Sequence, residues 1–260
     1  MSSSSSSLRI GIVGAGNVGE ALARLFAQAG HTVKIANSRG PSTLADVVQR
    51  TGASAATVED AVKDAQLIVV TIPQKAVVEL GQKALFSQLP ADTIVIDTGN
   101  YYPHRDGAMG EFDSESVTES RWTEKHLGHA VIKAFNNIFF HSLSTQAKPT
   151  GTAGRIALPV AGDNAAHKAT VIALLDQIGF DGVDAGSVDD SWRQQPGTPV
   201  YTTDYDVEGV KRALSRADRS RSHDVQALQF KAWMESFAAQ APPERIPALS
   251  RQVMAEQYGA

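Results

Sequence analysis

Six residues, Gly14-Ala15-Gly16-Asn17-Val18-Gly19, have the types and spacing to hold a pyrophosphate. They stand between an apolar run, Ile10-Gly11-Ile12-Val13, and a helix-patterned run, Ala21-Leu22-Ala23-Arg24-Leu25-Phe26. In a strand–turn–helix setting Gly14 permits the tight turn, Gly16 lets backbone approach the phosphates, and Gly19 lets the helix pack on the strand. The first N–H groups of that helix and its positive dipole end complete an anion site. A purely structural glycine turn is the alternative reading.

The next strand, Thr32 to Ala36, runs into Asn37-Ser38-Arg39. A site for NAD carries Asp or Glu here, bonding the ribose hydroxyls. This chain has no carboxylate at that place to repel a phosphate. Arg39 offers a planar, multi-donor grip on a 2′-phosphate, and Asn37 and Ser38 add neutral donors. The spacing therefore predicts NADP(H), unless Arg39 is simply a solvated loop arginine.

In an open parallel sheet, ligands sit at the carboxyl ends of the strands. Thr71, Ile72 and Pro73 follow the buried run Gln66 to Val70 and are expected to flank the adenosine. Thr98 and Asn100 follow Thr93 to Asp97, and Ala134 and Asn136 follow Val131 to Lys133; both groups are expected near the nicotinamide. Thr98 to Asn100 also fits turn chemistry, and Asn136-Asn137 fits a helix cap. Acid–base machinery is not evident. His104, His126, His129 and His141 are scattered, and no catalytic or metal-ligating residue is assigned. The pattern of hydroxyacid dehydrogenases, a glycine motif with a lysine four residues on, does not occur between 150 and 190.

These pieces need elements to position them. Strand and helix patterns alternate to about residue 184, which predicts βαβ units. The expected fold is α/β, a Rossmann-type doubly wound parallel sheet with a helical C-terminal extension. Residues 1–7 form a serine tract, expected to be disordered and lacking the apolar core of a signal peptide. Residues 8–203 form the NADP-binding domain with its substrate-site loops, and 204–260 the helical extension. Tyr101 to Glu124 is polar and punctuated by Pro103, Asp106-Gly107 and Gly110, and is expected to be a long loop. Phe230, Trp233, Met234 and Phe237 fall at helical spacing, suiting a core or a subunit interface.

Composition narrows the classes. A net charge of −4 argues against a nucleic-acid partner or an anionic membrane surface, and 42% apolar with 20% charged residues is ordinary for a globular chain. With no cysteine among 260 residues, disulfides and thiolate chemistry are excluded, which fits a cytoplasmic protein. No apolar run reaches the length of a membrane span.

The motifs together resemble the NADPH-dependent coenzyme F420 reductase family, and also the dinucleotide domain of STEAP-type ferric reductases. The matching pieces are Gly11 to Gly19, Ala36-Asn37-Ser38-Arg39, Val131 to Asn136, and Asp184-Ala185-Gly186-Ser187-Val188. The resemblance covers roughly residues 8–192. It implies that hydride passes between NADP(H) and the deazaflavin F420, with the protein chiefly holding two rings face to face. It implies that Ser38 and Arg39 hold the 2′-phosphate with Thr43 nearby, a place where the family often has lysine, and that the protein is a homodimer. The segments 101–124, 193–197 and 204–260 depart from the family pattern. Two alternatives follow: reduction of another small-molecule electron acceptor (a flavin, an imine or a carbonyl compound), or an NADPH sensor without turnover.

Overall fold

The computed structural model describes residues 7–113 and 117–259; Met1 to Ser6 of the serine tract and residues 114–116 lie outside them. By contacts the chain divides into two units, 1–99 with 123–131, and 100–122 with 132–260. The sequence boundary placed at 203 falls inside the second unit.

In the first unit the apolar runs are strands, as their length and β-branched content predict. They are β1 (Arg9–Val13), β2 (Thr32–Ala36), β3 (Ser54–Ala55), β4 (Leu67–Val70) and β5 (Ile94–Asp97). All pair in parallel in the order β3-β2-β1-β4-β5. This is the doubly wound Rossmann arrangement, with its direction reversing between β1 and β4. Helices α1 (Asn17–Gln28), α2 (Ala45–Thr51), α3 (Val58–Val62) and α4 (Gln74–Gln82) connect the strands. Helix α1 buries Leu22 and Phe26 completely, which fastens it to the sheet. Thr57 caps α3 by accepting from the Asp60 N–H at 3.0 Å. His31 is buried and accepts the Leu8 N–H at 3.2 Å.

The 101–124 segment is not the long loop its polarity suggests. It holds two short helices, α5 (Pro103–Asp106) and α6 (Gly110–Asp113), and the start of α7 (Glu119–Leu127). Within the second unit the rings of Tyr101, Phe112 and Trp122 pack at 4.9 and 5.2 Å between centroids, all three buried. Three aromatics supply the buried apolar surface of the segment.

The second unit continues with β6 (Ile132–Lys133), α8 (Phe140–Thr145), β7 (Ala157–Val160), α9 (Ala165–Gln177) and β8 (Asp181–Asp184). Strands β7 and β8 are parallel, and Lys133 bridges Ala161 in the antiparallel sense. Helix α10 (Val207–Arg216) lays Val210, Ala213 and Leu214 against Ala157 and Val183. Helices α11 (Ser222–Ala238) and α12 (Ile246–Tyr258) enclose Trp233 and Ile246 with Phe139 and Tyr201. Of the apolar residues expected at this spacing, Trp233 is core, whereas Met234 and Phe237 are about half exposed.

Arg155 fastens this unit. It is 2% exposed and donates to Asp176 Oδ1 and Asp176 O, both at 2.7 Å, to Lys148 O at 3.0 Å, and to the Asp181 carboxylate. Replacing it removes one buried charged donor from four acceptors in one step, and Thr150 and the Gly179 N–H remain on Asp176. Arg155→Met is therefore expected to cost about 3 kcal/mol in urea unfolding monitored by Trp fluorescence. A loss below about 1 kcal/mol would mean that water replaces the guanidinium at no penalty.

Candidate functional site

At the carboxyl ends of β1, β2 and β4 lies a cavity of about 430 Å³, entirely within the first unit. Its lining includes Gly14, Gly16, Asn37, Ser38, Arg39, Thr71, Ile72 and Pro73. Eight of the sixteen residues expected at a cofactor are thus brought together at the switch point of the sheet.

The local chemistry explains the shape. Gly14 has φ +119°, and a Cβ there would stand 2.2 Å from the Thr71 carbonyl oxygen. A Cβ on Gly19 would stand 2.0 Å from the Gly14 carbonyl oxygen, so α1 starts in backbone contact with the turn. At Gly16 an added Cβ meets nothing within 4 Å, leaving that stretch of backbone open. Helix α1 begins there without a side-chain cap, and Asn17 and Val18 form its first turn. An uncapped helix start beside an open glycine fits a pyrophosphate.

The loop after β2 is held from within. Asn37 Nδ2 donates to Thr43 Oγ1 at 2.9 Å, and Asn37 Oδ1 accepts the Arg39 N–H at 3.0 Å. Asn37 and Thr43 therefore shape the loop, while Ser38 and Arg39 remain exposed. Among the described residues, the carboxylate lining this cavity is Glu79, on α4, and none stands at the end of β2. Four wall residues that sequence reasoning missed, Ala76, Glu79, Leu80 and Lys83, come from α4 and its cap. Their i, i+3, i+4, i+7 spacing marks one helical face, the signal that could have found them. Val58, at the start of α3, completes the lining.

The remaining expected residues are not in that lining. Thr98, at the end of β5, is buried, with its hydroxyl donating to Val70 O at 3.2 Å. Asn100, Ala134 and Asn136 belong to the second unit. There Asn136 does not cap a helix, because α8 begins at Phe140 with Phe139 at its cap position. Instead Asn136 Nδ2 donates to Asn100 Oδ1 at 3.0 Å and to Gln194 O at 2.7 Å, and its Oδ1 accepts from Gln194 Nε2 at 2.9 Å. Phe135 beside it is buried with φ +62°, a left-handed backbone that costs a bulky residue of order 1–3 kcal/mol.

Asn100 Nδ2 also donates to the Tyr201 hydroxyl at 3.1 Å, and that hydroxyl is bonded to Tyr102's. Burial pushes the Tyr102 phenol up to about 12, and burial, with Tyr102 alongside, also pushes Tyr201 well up. Sequence reasoning missed this pair, whose members lie 99 residues apart.

Residues 9–101 match the family model for coenzyme F420-dependent NADP oxidoreductases. The likeness seen in the sequence motifs therefore holds for the glycine turn and the β2 loop, over a little more than a third of the chain. Over 71 residues the chain is 42% identical to the "Putative protein YjhV" of Escherichia coli (strain K12), in a match taking in 27% of this chain and 52% of that protein. The chain thus spans about half the length of the curated relative it matches. Among solved structures it resembles a hypothetical protein, SMa0349, from Sinorhizobium meliloti, at 27% identity and a TM-score of 0.64, covering 75% of this chain and 93% of that one. It also resembles a "putative f420 dependent nadp-reductase" from Arthrobacter sp. FB24, at 22% identity and a TM-score of 0.55, covering 70% and 86%, a likeness of fold.

Raised phenol values carry a sign. The folded chain holds the Tyr102 and Tyr258 protons up to about pH 12, whereas an unfolded tyrosine releases its proton near pH 10. Stability from these groups is whole below about pH 10 and is lost as pH rises through the folded values. At pH 10.5 the folded protein should lack the 295 nm tyrosinate absorbance of Tyr102, Tyr201 and Tyr258. It should gain that absorbance when urea is added at constant pH. Full absorbance before urea would show that the hydroxyls are solvated.

Proposed function

We propose that this protein is an NADP(H)-dependent oxidoreductase that passes hydride between NADP(H) and coenzyme F420. The observation that carries the cofactor half is the cavity at the switch point. Its floor is an open glycine backbone at a helix start, and its β2 edge presents Ser38 and Arg39 with no carboxylate beside them. The residues fit the group. Gly14, Gly16 and the first turn of α1, Asn17 to Gly19, would cradle the pyrophosphate. Ser38 and Arg39 would hold the 2′-phosphate, with Asn37 and Thr43 fixing their loop. Thr71, Ile72 and Pro73 would border the adenosine, and Thr98, Asn100, Ala134 and Asn136 are the residues we assign to the nicotinamide end. NADP(H) supplies or accepts the hydride; this chain binds and orients it. The acceptor half, F420, rests on the family match over residues 9–101.

A second reading has its own support. An imine or carbonyl acceptor takes a proton along with hydride, and the hydrogen-bonded hydroxyls of Tyr102 and Tyr201 are groups of a type that can give one. A binding protein without turnover is the outcome left if neither acceptor reacts. We further read the chain as a cytoplasmic homodimer, which suits the half-exposed Leu228, Met234 and Phe237 on α11. Among the described residues no helix is long and apolar enough to cross a membrane.

The test follows NADPH absorbance at 340 nm with and without purified F420, beside Arg39→Ala. Expected are F420-dependent oxidation and roughly tenfold or greater weakening of NADPH in the variant, with NADH little changed, since Arg39 makes a charge-assisted contact worth about 1.5–3 kcal/mol. Turnover with a cyclic imine but not with F420 would select the second reading. Equal affinity for NADH and NADPH in the wild-type protein would overturn the reading of the β2 loop.

A further inference from the structure

The cavity has a second lining cation, and it comes from a different element. Lys83 lines the same cavity as Ser38 and Arg39 but sits at the C-terminal cap of α4. Its ammonium is fixed in place, with Nζ 3.2 Å from Glu59 Oε1. Glu59 stands in the first turn of α3, next to Val58. Val58 in turn packs against Ala36, the last residue of β2, in one cluster with Ala56 and Ala61. The Ala56 N–H donates to Ile35 O at 3.0 Å, which locks the start of α3 to the end of β2. Lys83 thus lines the cavity that Ser38 and Arg39 line, and its ion pair ties it to the first turn of α3, which packs on the end of β2.

We propose that Lys83 is a specificity-determining residue that contributes a second positive charge to the 2′-phosphate of NADP(H), with Glu59 holding its ammonium at the β2 edge until the phosphate competes for it. The assignment rests on the reading of this cavity as an NADP(H) site. Lys83 and Glu59 are both about half exposed, so their mutual attraction is weak enough for a dianionic phosphate to displace. Glu79 also faces the cavity, and Arg39 and Lys83 outnumber it among the charged lining residues, with Glu59 as the partner the phosphate would displace.

The experiment titrates the full-length protein with NADPH and NADH by nucleotide fluorescence, for wild type, Lys83→Gln and Glu59→Gln. Thermal unfolding of each confirms an intact fold. Lys83→Gln should weaken NADPH roughly three- to tenfold and leave NADH within a factor of two, with a smaller effect at high salt. Glu59→Gln should move NADPH the opposite way, tightening it about twofold, because the lysine loses its competing partner. A purely structural Lys83–Glu59 pair would instead shift both variants in the same direction. If Lys83→Gln weakens NADPH and NADH equally, Lys83 is merely cavity wall and the proposal is overturned. If the wild-type protein does not prefer NADPH at all, the reading of the cavity fails and this proposal falls with it.

Discussion

Two carbonyl oxygens leave no room for a side chain, and the first unit is built around that fact. The Gly14 oxygen occupies the space a Cβ on Gly19 would need, and the Thr71 oxygen does the same to Gly14. Strand β1, helix α1 and the end of β4 therefore meet through backbone alone. Moving α1 outward to admit a methyl group would uncover Leu22 and Phe26, both fully buried on its inner face. Backbone bonds extend the ladders just past the strands, from the Gly14 N–H to Ala36 O and from the Thr71 N–H to Val13 O, each 2.9 Å. The same close approach creates the opening: where the backbones meet and the sheet reverses its winding, no side chain is present to fill the space. Binding capacity here is a consequence of packing.

The second unit depends on the opposite device. Its interior carries polar side chains, and many of them bond to one another. Asn100, Asn136 and Gln194 exchange amide bonds. Gln229 donates to Tyr201 O, Thr202 Oγ1 and Ser250 Oγ at 3.1, 3.0 and 3.0 Å, and Trp233 Nε1 reaches Ser250 at 3.1 Å. Burying such groups is costly unless they are bonded, so each fixes the position of the others. This matching also sustains unusual backbone: Phe135 and Thr202 are non-glycine residues at positive φ, and the Thr202 N–H is bonded to Asn137 O at 2.7 Å. Burial in this network raises the Tyr102 and Tyr201 phenols, so neither takes a charge until well above neutral pH.

What the sequence revealed follows from the range of the interactions involved. The glycine turn, the apolar strands β1, β2, β4 and β5, and the Thr57 cap are set by neighbours within a few residues, so pattern alone finds them. The β2 loop is equally local, yet its division of labour is not: Asn37 looks like a phosphate donor and is occupied by Thr43 and the Arg39 N–H. The 101–124 segment misleads because turn residues dominate its composition, while Tyr101, Phe112 and Trp122 are spaced irregularly and meet only through folding. The tyrosine pair could not be read from either strand of the argument, since nothing near Tyr102 in the chain points to Tyr201.

The α4 wall is the instructive intermediate case. Ala76, Glu79, Leu80 and Lys83 have helical spacing that is plain in the sequence, but a stripe containing two charges does not present itself as a binding face. Its meaning comes from the sheet order. Because β4 lies beside β1, the helix after β4 covers the same strand ends as the turn after β1 and the loop after β2. In the proposed reading, charge on that helix acts on whatever the β2 loop holds, although Lys83 and Arg39 are far apart in the chain. Cofactor preference in such a site is the sum of charges delivered by separate elements, and a motif confined to one loop records only part of it.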